Sequence, residues 1–307
     1  MQCKCSLKKN KAVDECLLVM DECVSDKCFV DDLSKVVNDL DAVPNSFTRK
    51  ALSGGGPPCG LKNLGNTCFF NSVLQSIFCL NLDFDQTTDQ TFTHALKTLF
   101  TKMKTSKLQS PTDLFSLSTT EWPEYSQYDQ QDSHEFLHRL IEKVPLLQNV
   151  FRGELVTRLE CDCGHVQIVE EIFYDLSLVD SGDLESAFRH FFIAEQVDIQ
   201  CEGCKQKRTL RKKVSVKRMP EILILHLKSY KWKKKKKNSQ KMHIPSKFLN
   251  LNLVSTIEHQ GKSMDSGHYI AHIKTDRWYI CSDESIRATN THSQTPYILF
   301  YICESKT

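Results

Sequence analysis

The segment from Gly60 to Leu80, GLKNLGNTCFFNSVLQSIFCL, constrains the fold of this chain more than any other. It starts with glycine and asparagine residues typical of turns and continues with apolar residues at helical spacing. Thr67 is suited to cap this helix, which places Cys68 in its first turn. The backbone N–H groups and dipole at a helix start favour a thiolate and can also stabilise an oxyanion. Asn63, on the incoming loop, offers a side-chain amide as a second oxyanion donor.

The role of Cys68 depends on whether a histidine can reach it. A lone cysteine at a helix start is commonly a buried structural residue, whereas chemistry at the thiol requires a base. His268 is the strongest candidate of the eleven histidines, because it follows Ser-Gly at the start of a predicted strand whose chain turns straight back. A two-residue turn at 275–276 would place Asp283 opposite His268, and a three-residue turn would place Ser282 there. Either side chain could orient the imidazole.

The composition is typical of a soluble globular protein with one large domain or two small ones. The chain has 307 residues, of which 40% are hydrophobic and 25% charged. No apolar segment follows the basic N-terminus as in a signal peptide, and the longest apolar runs are too short to span a bilayer. We therefore expect a cytoplasmic or nuclear protein, no membrane association, and fourteen reduced cysteines that serve metal binding or catalysis.

The net charge of +2 conceals a basic segment. Sixteen lysines and arginines and one acid lie between Lys205 and Lys241, so the rest of the chain is acidic. A lysine block is usually a solvated loop. The alternative is a surface for a weakly bound acidic partner or nucleic acid.

The hydrophobic pattern divides the chain into three parts. Residues 1–58 are expected to form a partly disordered N-terminal arm that contains a helix at 31–40 and ends in a Gly/Pro linker. Residues 60–150 carry helical periodicity, with helices predicted at Thr91–Met103, from Pro111, and over Gln127–Val144. From Phe151 onward the pattern is that of β-strands. The predicted fold class is α+β.

Two cysteine turns lie in the first part of the β region. Cys201-Glu-Gly-Cys204 has the spacing of a zinc knuckle, whereas its partner, Cys161-Asp-Cys163, is one residue short. Four sulfur atoms from two such turns would suit a structural tetrahedral Zn²⁺. His165 is an alternative ligand, and a ribbon held by packing alone is the alternative without metal.

Four blocks of the sequence together resemble the ubiquitin-specific proteases, the papain-like deubiquitinating cysteine proteases. The first is GLKNLGNTCFFNSVLQ and the second QQDSHEFL. The third is the pair of cysteine turns followed by ILILHLKSY, and the fourth is EHQGKSMDSGHYIAHIK with WYICSDESI. The resemblance covers about residues 59–304.

The resemblance implies a hand-like catalytic domain over 59–305. A helical thumb would cover 60–150, zinc-ribbon fingers 151–215 and a β palm 216–305. It also implies cleavage after the C-terminal glycine of ubiquitin and no catalytic cofactor. The implied roles are Cys68 as nucleophile, His268 as base, Asn63 in the oxyanion hole, Ser282 or Asp283 as the third catalytic group, Asp132, Glu135 and Tyr269 in substrate binding, and Cys161, Cys163, Cys201 and Cys204 as metal ligands.

The third catalytic position departs from the usual family pattern. That position usually holds Asn or Asp followed by Asp, and here the pair is Ser282-Asp283. One branch of the family shares this variant, which slightly favours Ser282 as the orienting group. A catalytically weak or inactive ubiquitin-binding pseudoenzyme is therefore the alternative function. The expected partners are ubiquitin and ubiquitinated proteins, and the expected state is a monomer.

Overall fold

The structure is a computed structural model that describes residues 57–84, 91–127, 129–179, 181–228, 230–231, 236–237, 241–261 and 266–303. The helix predicted at 31–40 and nearly all of the N-terminal arm lie outside these residues.

Helices dominate the first part of the described chain. The predicted helix at Thr91–Met103 has the predicted bounds, whereas the one predicted from Gln127 begins at Ser133 because the Asp132 side chain caps it there. A short 3₁₀ helix covers Pro123–Gln127. The α-helices are α1 Cys68–Cys79, α2 Thr91–Met103, α3 Thr112–Glu121, α4 Ser133–Lys143, α5 Pro145–Phe151 and, within the β region, α6 Leu184–Phe192.

Sixteen strands are present in the described residues. They are β1 Gly60–Leu61, β2 Leu108–Gln109, β3 Gly153–Glu160, β4 Val166–Phe173, β5 Leu176–Val179, β6 Glu195–Gln200, β7 Lys207–Arg218, β8 Ile222–Lys228, β9 Tyr230–Lys231, β10 Lys236–Lys237, β11 Lys247–Phe248, β12 Leu251–Gln260, β13 His268–Lys274, β14 Trp278–Ser282, β15 Ser285–Thr289 and β16 Ile298–Cys303.

Two sheets organise most of these strands. The larger has the order β15-β14-β13-β12-β16-β8-β5, with β11 paired to β12, and the smaller has the order β4-β3-β7-β6. Neighbouring strands in both sheets are antiparallel except for β5 and β8, which are parallel. The prediction of an α+β fold is confirmed.

The larger sheet is buried on both faces, as the sequence of β8 shows. Ile222 and Ile224 pack into the core shared with the helices, whereas Leu223, Leu225 and Leu227 pack into a second core on the other face. Because alternate residues of a strand point to opposite faces, the continuous apolar run ILIL satisfies both cores. α1 is buried in the first core and packs against β13.

None of the helices in the described ranges combines the length and the hydrophobicity needed to cross a bilayer.

Candidate active site

Cys68 is the first residue of α1, as predicted. Thr67 occupies the N-cap position, but its side chain makes no capping hydrogen bond to the helix. Instead, the Thr67 hydroxyl accepts the backbone N–H of Leu64 at 2.9 Å and so closes the incoming loop. The Cys68 side chain lies in the interior, where the residue is 4% exposed.

Asn63 organises that same loop. Its Oδ1 accepts the backbone N–H groups of Gly65 at 2.9 Å and Thr67 at 3.2 Å. Its Nδ2 donates to Oδ2 of Asp283 at 2.8 Å. The carbonyl end of the amide therefore faces the loop, and the NH₂ end is held by a residue more than two hundred positions away.

Both predicted registers for the His268 hairpin are wrong. The loop contains three residues, 275–277, and Lys274 pairs with Trp278, so the continued register would bring His268 opposite Glu284. Ser282 is then the diagonal neighbour of His268 on the same face. The imidazole Nε2 lies 2.8 Å from the Ser282 hydroxyl oxygen. Ser282 therefore contacts His268, as one of the two alternatives predicted, but from a diagonal position and not from the directly opposite one.

Asp283 lies in the turn between β14 and β15 and has a different set of partners. Its φ angle is +49°, in the left-handed region, which turns its side chain away from the course of the strand. The carboxylate accepts the amide Nδ2 of Asn63 at 2.8 Å and that of Asn71, on α1, at 2.7 Å. Asp283 is therefore bound to the loop and helix that carry Cys68.

Backbone contacts bring the same two segments together. The N–H of Leu61 donates to the carbonyl of Asp283 at 2.9 Å. A Cβ on Gly60 would lie only 2.6 Å from the carbonyl oxygen of Glu284. Only glycine fits this approach without displacing the turn.

Burial dominates the electrostatics of the Cys68 thiol. Removal from water raises its pKa, the backbone N–H of Tyr269 hydrogen-bonds to the sulfur and lowers it, and the charge of Asp283 raises it again. The net shift is upward, so the thiolate expected from the helix start is not the favoured form. The bond from Tyr269 places the sulfur beside the residue that follows His268.

The three predicted substrate-binding residues have partners within the chain. Asp132 caps α4 through the N–H groups of His134 and Glu135, and its other oxygen accepts the Tyr297 hydroxyl at 2.6 Å. Glu135 forms an ion pair with Arg139 on the next turn. The buried Tyr269 ring lies 4.5 Å from the ring of His259.

Gln130 is a contributor that the sequence reasoning missed. Its amide Nε2 donates to the carbonyl of Gly267 at 2.7 Å, and its Oε1 accepts the Gly267 N–H at 2.6 Å. The side chain thereby fixes the peptide that precedes His268. Its position in the QQD block was the only signal, because no periodicity distinguishes it.

The four predicted metal-ligating cysteines converge at one end of the smaller sheet. The ligand atoms of Cys161, Cys163, Cys201 and Cys204 lie within 4.8 Å of one another, and the sulfurs of Cys163 and Cys201 are 3.7 Å apart. Two thiolates on a tetrahedral Zn²⁺ would be about 3.8 Å apart, given Zn–S bonds of about 2.3 Å. The short Cys161–Cys163 turn is accommodated by Gly164 at φ +88°. The cluster can bind a metal ion.

His165 is not part of that sulfur cluster. It packs over the opposite turn, where a Cβ on Gly203 would lie 2.6 Å from the Cβ and Cγ of His165. The four sulfurs are therefore sufficient for a tetrahedral site.

Part of the described basic segment is paired with acidic residues of the smaller sheet. On β7, Arg211 pairs with Glu160, Lys212 with Glu195 and Lys217 with Glu170. Most of the lysine block at 232–240 lies outside the described residues. An acidic or nucleic-acid partner stays a prediction.

Comparisons with known proteins agree with this geometry. A family model described as ubiquitin carboxyl-terminal hydrolase matches residues 59–301. The chain belongs to this family. The resemblance to ubiquitin-specific proteases is thereby confirmed. Among relatives, ubiquitin carboxyl-terminal hydrolase 23 of Arabidopsis thaliana is 28% identical over 79% of the chain and 35% of its own length. Human ubiquitin carboxyl-terminal hydrolase 21 is 26% identical over 80% of the chain and 62% of its own length.

A solved structure supports the fold. The chain is similar, with a TM-score of 0.69 and 20% identity, to a chain of the SAGA DUB module bound to monoubiquitin. The match covers 91% of this chain and 76% of that one. The chain spans about a third to just under two thirds of the length of the first curated relatives that it matches.

Proposed function

We propose that this chain is a thiol-dependent deubiquitinase that hydrolyses isopeptide and peptide bonds after the C-terminal glycine of ubiquitin. The observation that carries the proposal is the meeting of α1 with the start of β13, where the Tyr269 N–H bonds the Cys68 sulfur and the adjacent His268 is held by Ser282. Family membership and the names of the relatives support the substrate class.

In the proposed first step, His268 removes the proton from Cys68 as the sulfur attacks the glycine carbonyl carbon. The raised pKa of Cys68 favours this route over an ion pair formed in advance. Because Nε2 faces Ser282, Nδ1 is the nitrogen that takes the proton. The carbonyl oxygen becomes an oxyanion, which accepts hydrogen bonds from the Cys68 backbone N–H and the Asn63 amide. His268 then protonates the departing amine as the C–N bond breaks, and later activates the water that hydrolyses the thioester.

We assign the third catalytic position to Ser282 and a positioning role to Asp283. Ser282 hydrogen-bonds to the imidazole, whereas Asp283 accepts one hydrogen of the Asn63 amide and leaves the second for the oxyanion. Asn71 holds the other Asp283 oxygen, so the carboxylate is fixed from two sides.

Binding of the arginine-containing tail of ubiquitin is assigned to the start of α4. Glu135 is half-exposed there, and its carboxylate can exchange Arg139 for an arginine of the substrate. Asp132 would orient this turn through its bond to Tyr297, and Tyr269 would line the cleft beside the thiol.

The proposed subdomains of the hand-like catalytic domain correspond to the helical region and the two sheets. The helical region would form the thumb, the smaller sheet the fingers, and the larger sheet the palm. We propose that the four cysteines of the fingers hold a structural Zn²⁺, which their convergence supports. Residence in the cytoplasm or nucleus and a monomeric state stay predictions.

An inactive ubiquitin-binding protein is the second candidate. Two observations favour it: the neutral hydroxyl of Ser282 supports an imidazolium less than a carboxylate would, and burial keeps Cys68 protonated.

A ubiquitin probe with a C-terminal electrophile tests both functions. The proposal predicts covalent labelling of the wild type and turnover of a ubiquitin C-terminal fluorogenic amide, with neither in Cys68→Ala. Micromolar binding of ubiquitin without labelling would instead establish the pseudoenzyme. Absence of labelling, turnover and binding would exclude both.

A further inference from the structure

A second histidine cluster lies away from Cys68, on α4. The sequence His134-Glu-Phe-Leu-His138 places two imidazoles four residues apart, which brings them onto one face of the helix. Both Nε2 atoms contact the same oxygen, Oδ2 of Asp175: that of His134 at 3.1 Å, and that of His138 within hydrogen-bond distance. A single carboxylate therefore contacts two imidazole nitrogens from the same helix.

His226 on β8 adds a third imidazole. Its ring is stacked on that of His134, with centroids 3.8 Å apart and planes 19° from parallel. Its Nδ1 lies 2.8 Å from the Ser177 hydroxyl, while its Nε2 is buried and has no hydrogen-bond partner among the described residues. The ligand atoms of His134, Asp175 and His226 lie within 4.8 Å of one another.

The charges of the cluster favour a cation. Asp175 is 7% exposed at its side chain, and its ion-pair partners among the described residues are the two histidines of α4. A buried carboxylate therefore lies in the same cluster as His226, whose buried Nε2 has no hydrogen-bond partner among the described residues.

We propose that His134, His138 and Asp175 bind a divalent transition-metal ion, Zn²⁺ foremost, with His226 as the fourth donor after its ring turns out of the stack. Three imidazoles and one carboxylate suit Zn²⁺, whereas Mg²⁺ and Ca²⁺ prefer oxygen ligands. The side chain of His138 is 37% exposed, which gives the ion a path from solvent. This site is independent of the proposed deubiquitinase activity.

The geometry assigns the ion a structural role. In metalloproteases with the same HExxH spacing, the glutamate activates a water on the metal. Here Glu135 is half-exposed and bonded to Arg139 instead. The ion would join α4 to β8 and to the residue just before β5 on the larger sheet, and thereby fix the helix whose first turn Asp132 caps.

Zinc titration of the chelator-treated full chain tests the site. The wild type is expected to bind one equivalent more than His138→Gln and Asp175→Asn, because the four cysteines account for a separate equivalent in all three. His190→Gln on α6, an exposed histidine that bonds Ser181, is the matched control and should keep the wild-type count. Since protons compete for the same nitrogens, the additional equivalent should weaken as the pH falls.

A spectroscopic measurement separates this site from the sulfur cluster and does not require the variants to fold. Zinc should shift the ¹³Cε1 resonances of His134 and His138 in the wild type at the additional equivalent. Bound Co²⁺ should show a thiolate charge-transfer band for the first equivalent and none for the second. Unshifted resonances, or equal numbers of zinc equivalents bound by the wild type and His138→Gln, would overturn the proposal. The cluster would then bind protons and no metal ion.

Discussion

The two histidine sites differ in the group that each imidazole meets. His268 faces the neutral hydroxyl of Ser282, whereas His134 and His138 share the buried carboxylate of Asp175. A hydroxyl orients a ring without fixing a proton on it. A buried carboxylate stabilises the protonated ring and raises its pKa, as it does for His138. The first arrangement suits a base that must accept and release a proton, and the second suits a fixed positive charge that joins two elements.

The largest expected effect comes from removing the imidazole of His268, the proposed base. His268→Gln should lower kcat/KM for a ubiquitin C-terminal amide by roughly 10⁴-fold or more, because the buried thiol then has no base. The control is again His190→Gln, which should retain wild-type rates. A decrease in kcat/KM of less than about tenfold in His268→Gln would mean that His268 is not the base and that the contrast drawn between the two histidine sites is wrong.

The next largest effect on catalytic rate is expected for Asn63→Ala. Loss of one oxyanion donor should cost about 10²- to 10³-fold in kcat with little change in KM. Asp283→Asn should act through the same amide and give a smaller loss in kcat. Steady-state kinetics across pH checks both. If Asp283→Asn moves the histidine limb of the pH profile, Asp283 acts on the imidazole and its assignment to Asn63 is wrong.

A substitution at Ser282 can give His268 the kind of carboxylate partner that His134 and His138 have in Asp175. Ser282→Asp would give His268 a carboxylate partner, raise its pKa, and move the acid limb of kcat/KM upward by about one pH unit. Ser282→Ala should lower kcat by about tenfold without that shift. An unchanged limb in Ser282→Asp would show that position 282 does not control the proton on His268.

The smallest effect concerns stability in the metal-free protein. The raised pKa of His138 means that its bond to Asp175 contributes stability fully below the unfolded pKa of about 6.5 and loses it as the pH rises through the folded pKa. His138→Gln should therefore lower Tm by a few degrees at pH 6 and by less at pH 9. Calorimetry after chelator treatment measures this. A larger loss at pH 9 than at pH 6 would contradict the ion pair.

Elements with strong periodicity could be predicted from the sequence, and their mutual placement could not. β13 begins at His268 as predicted, yet the register of its hairpin differs from both predictions, because one residue in the loop changes every cross-strand pair. The α+β fold and the family are confirmed, and the cysteines converge as expected. The protonation of Cys68 was missed because burial, which outweighs the helix start, depends on packing that no local pattern reveals.

The contacts that could not be predicted from the sequence share a physical origin. Asp283 bonds Asn71 across 212 positions, and Gln130 bonds Gly267 across 137. Such partners come from different elements and carry no common spacing. The His134/His138 pair did have a local signal, the HExxH spacing, but its carboxylate partner, Asp175, lies in a separate segment just before β5.

The close fit of Gly60 against Glu284 has a consequence for biosynthesis. The ribosome makes the thiol about two hundred residues before the imidazole, and the turn that seats the Asn63 amide comes later still. Because chains emerge from the N-terminus onward, Cys68 and Asn63 leave the ribosome before His268 and Asp283, the residues proposed to act with them. The proposed catalytic groups therefore come together only after the segment that contains His268 and Asp283 has been made.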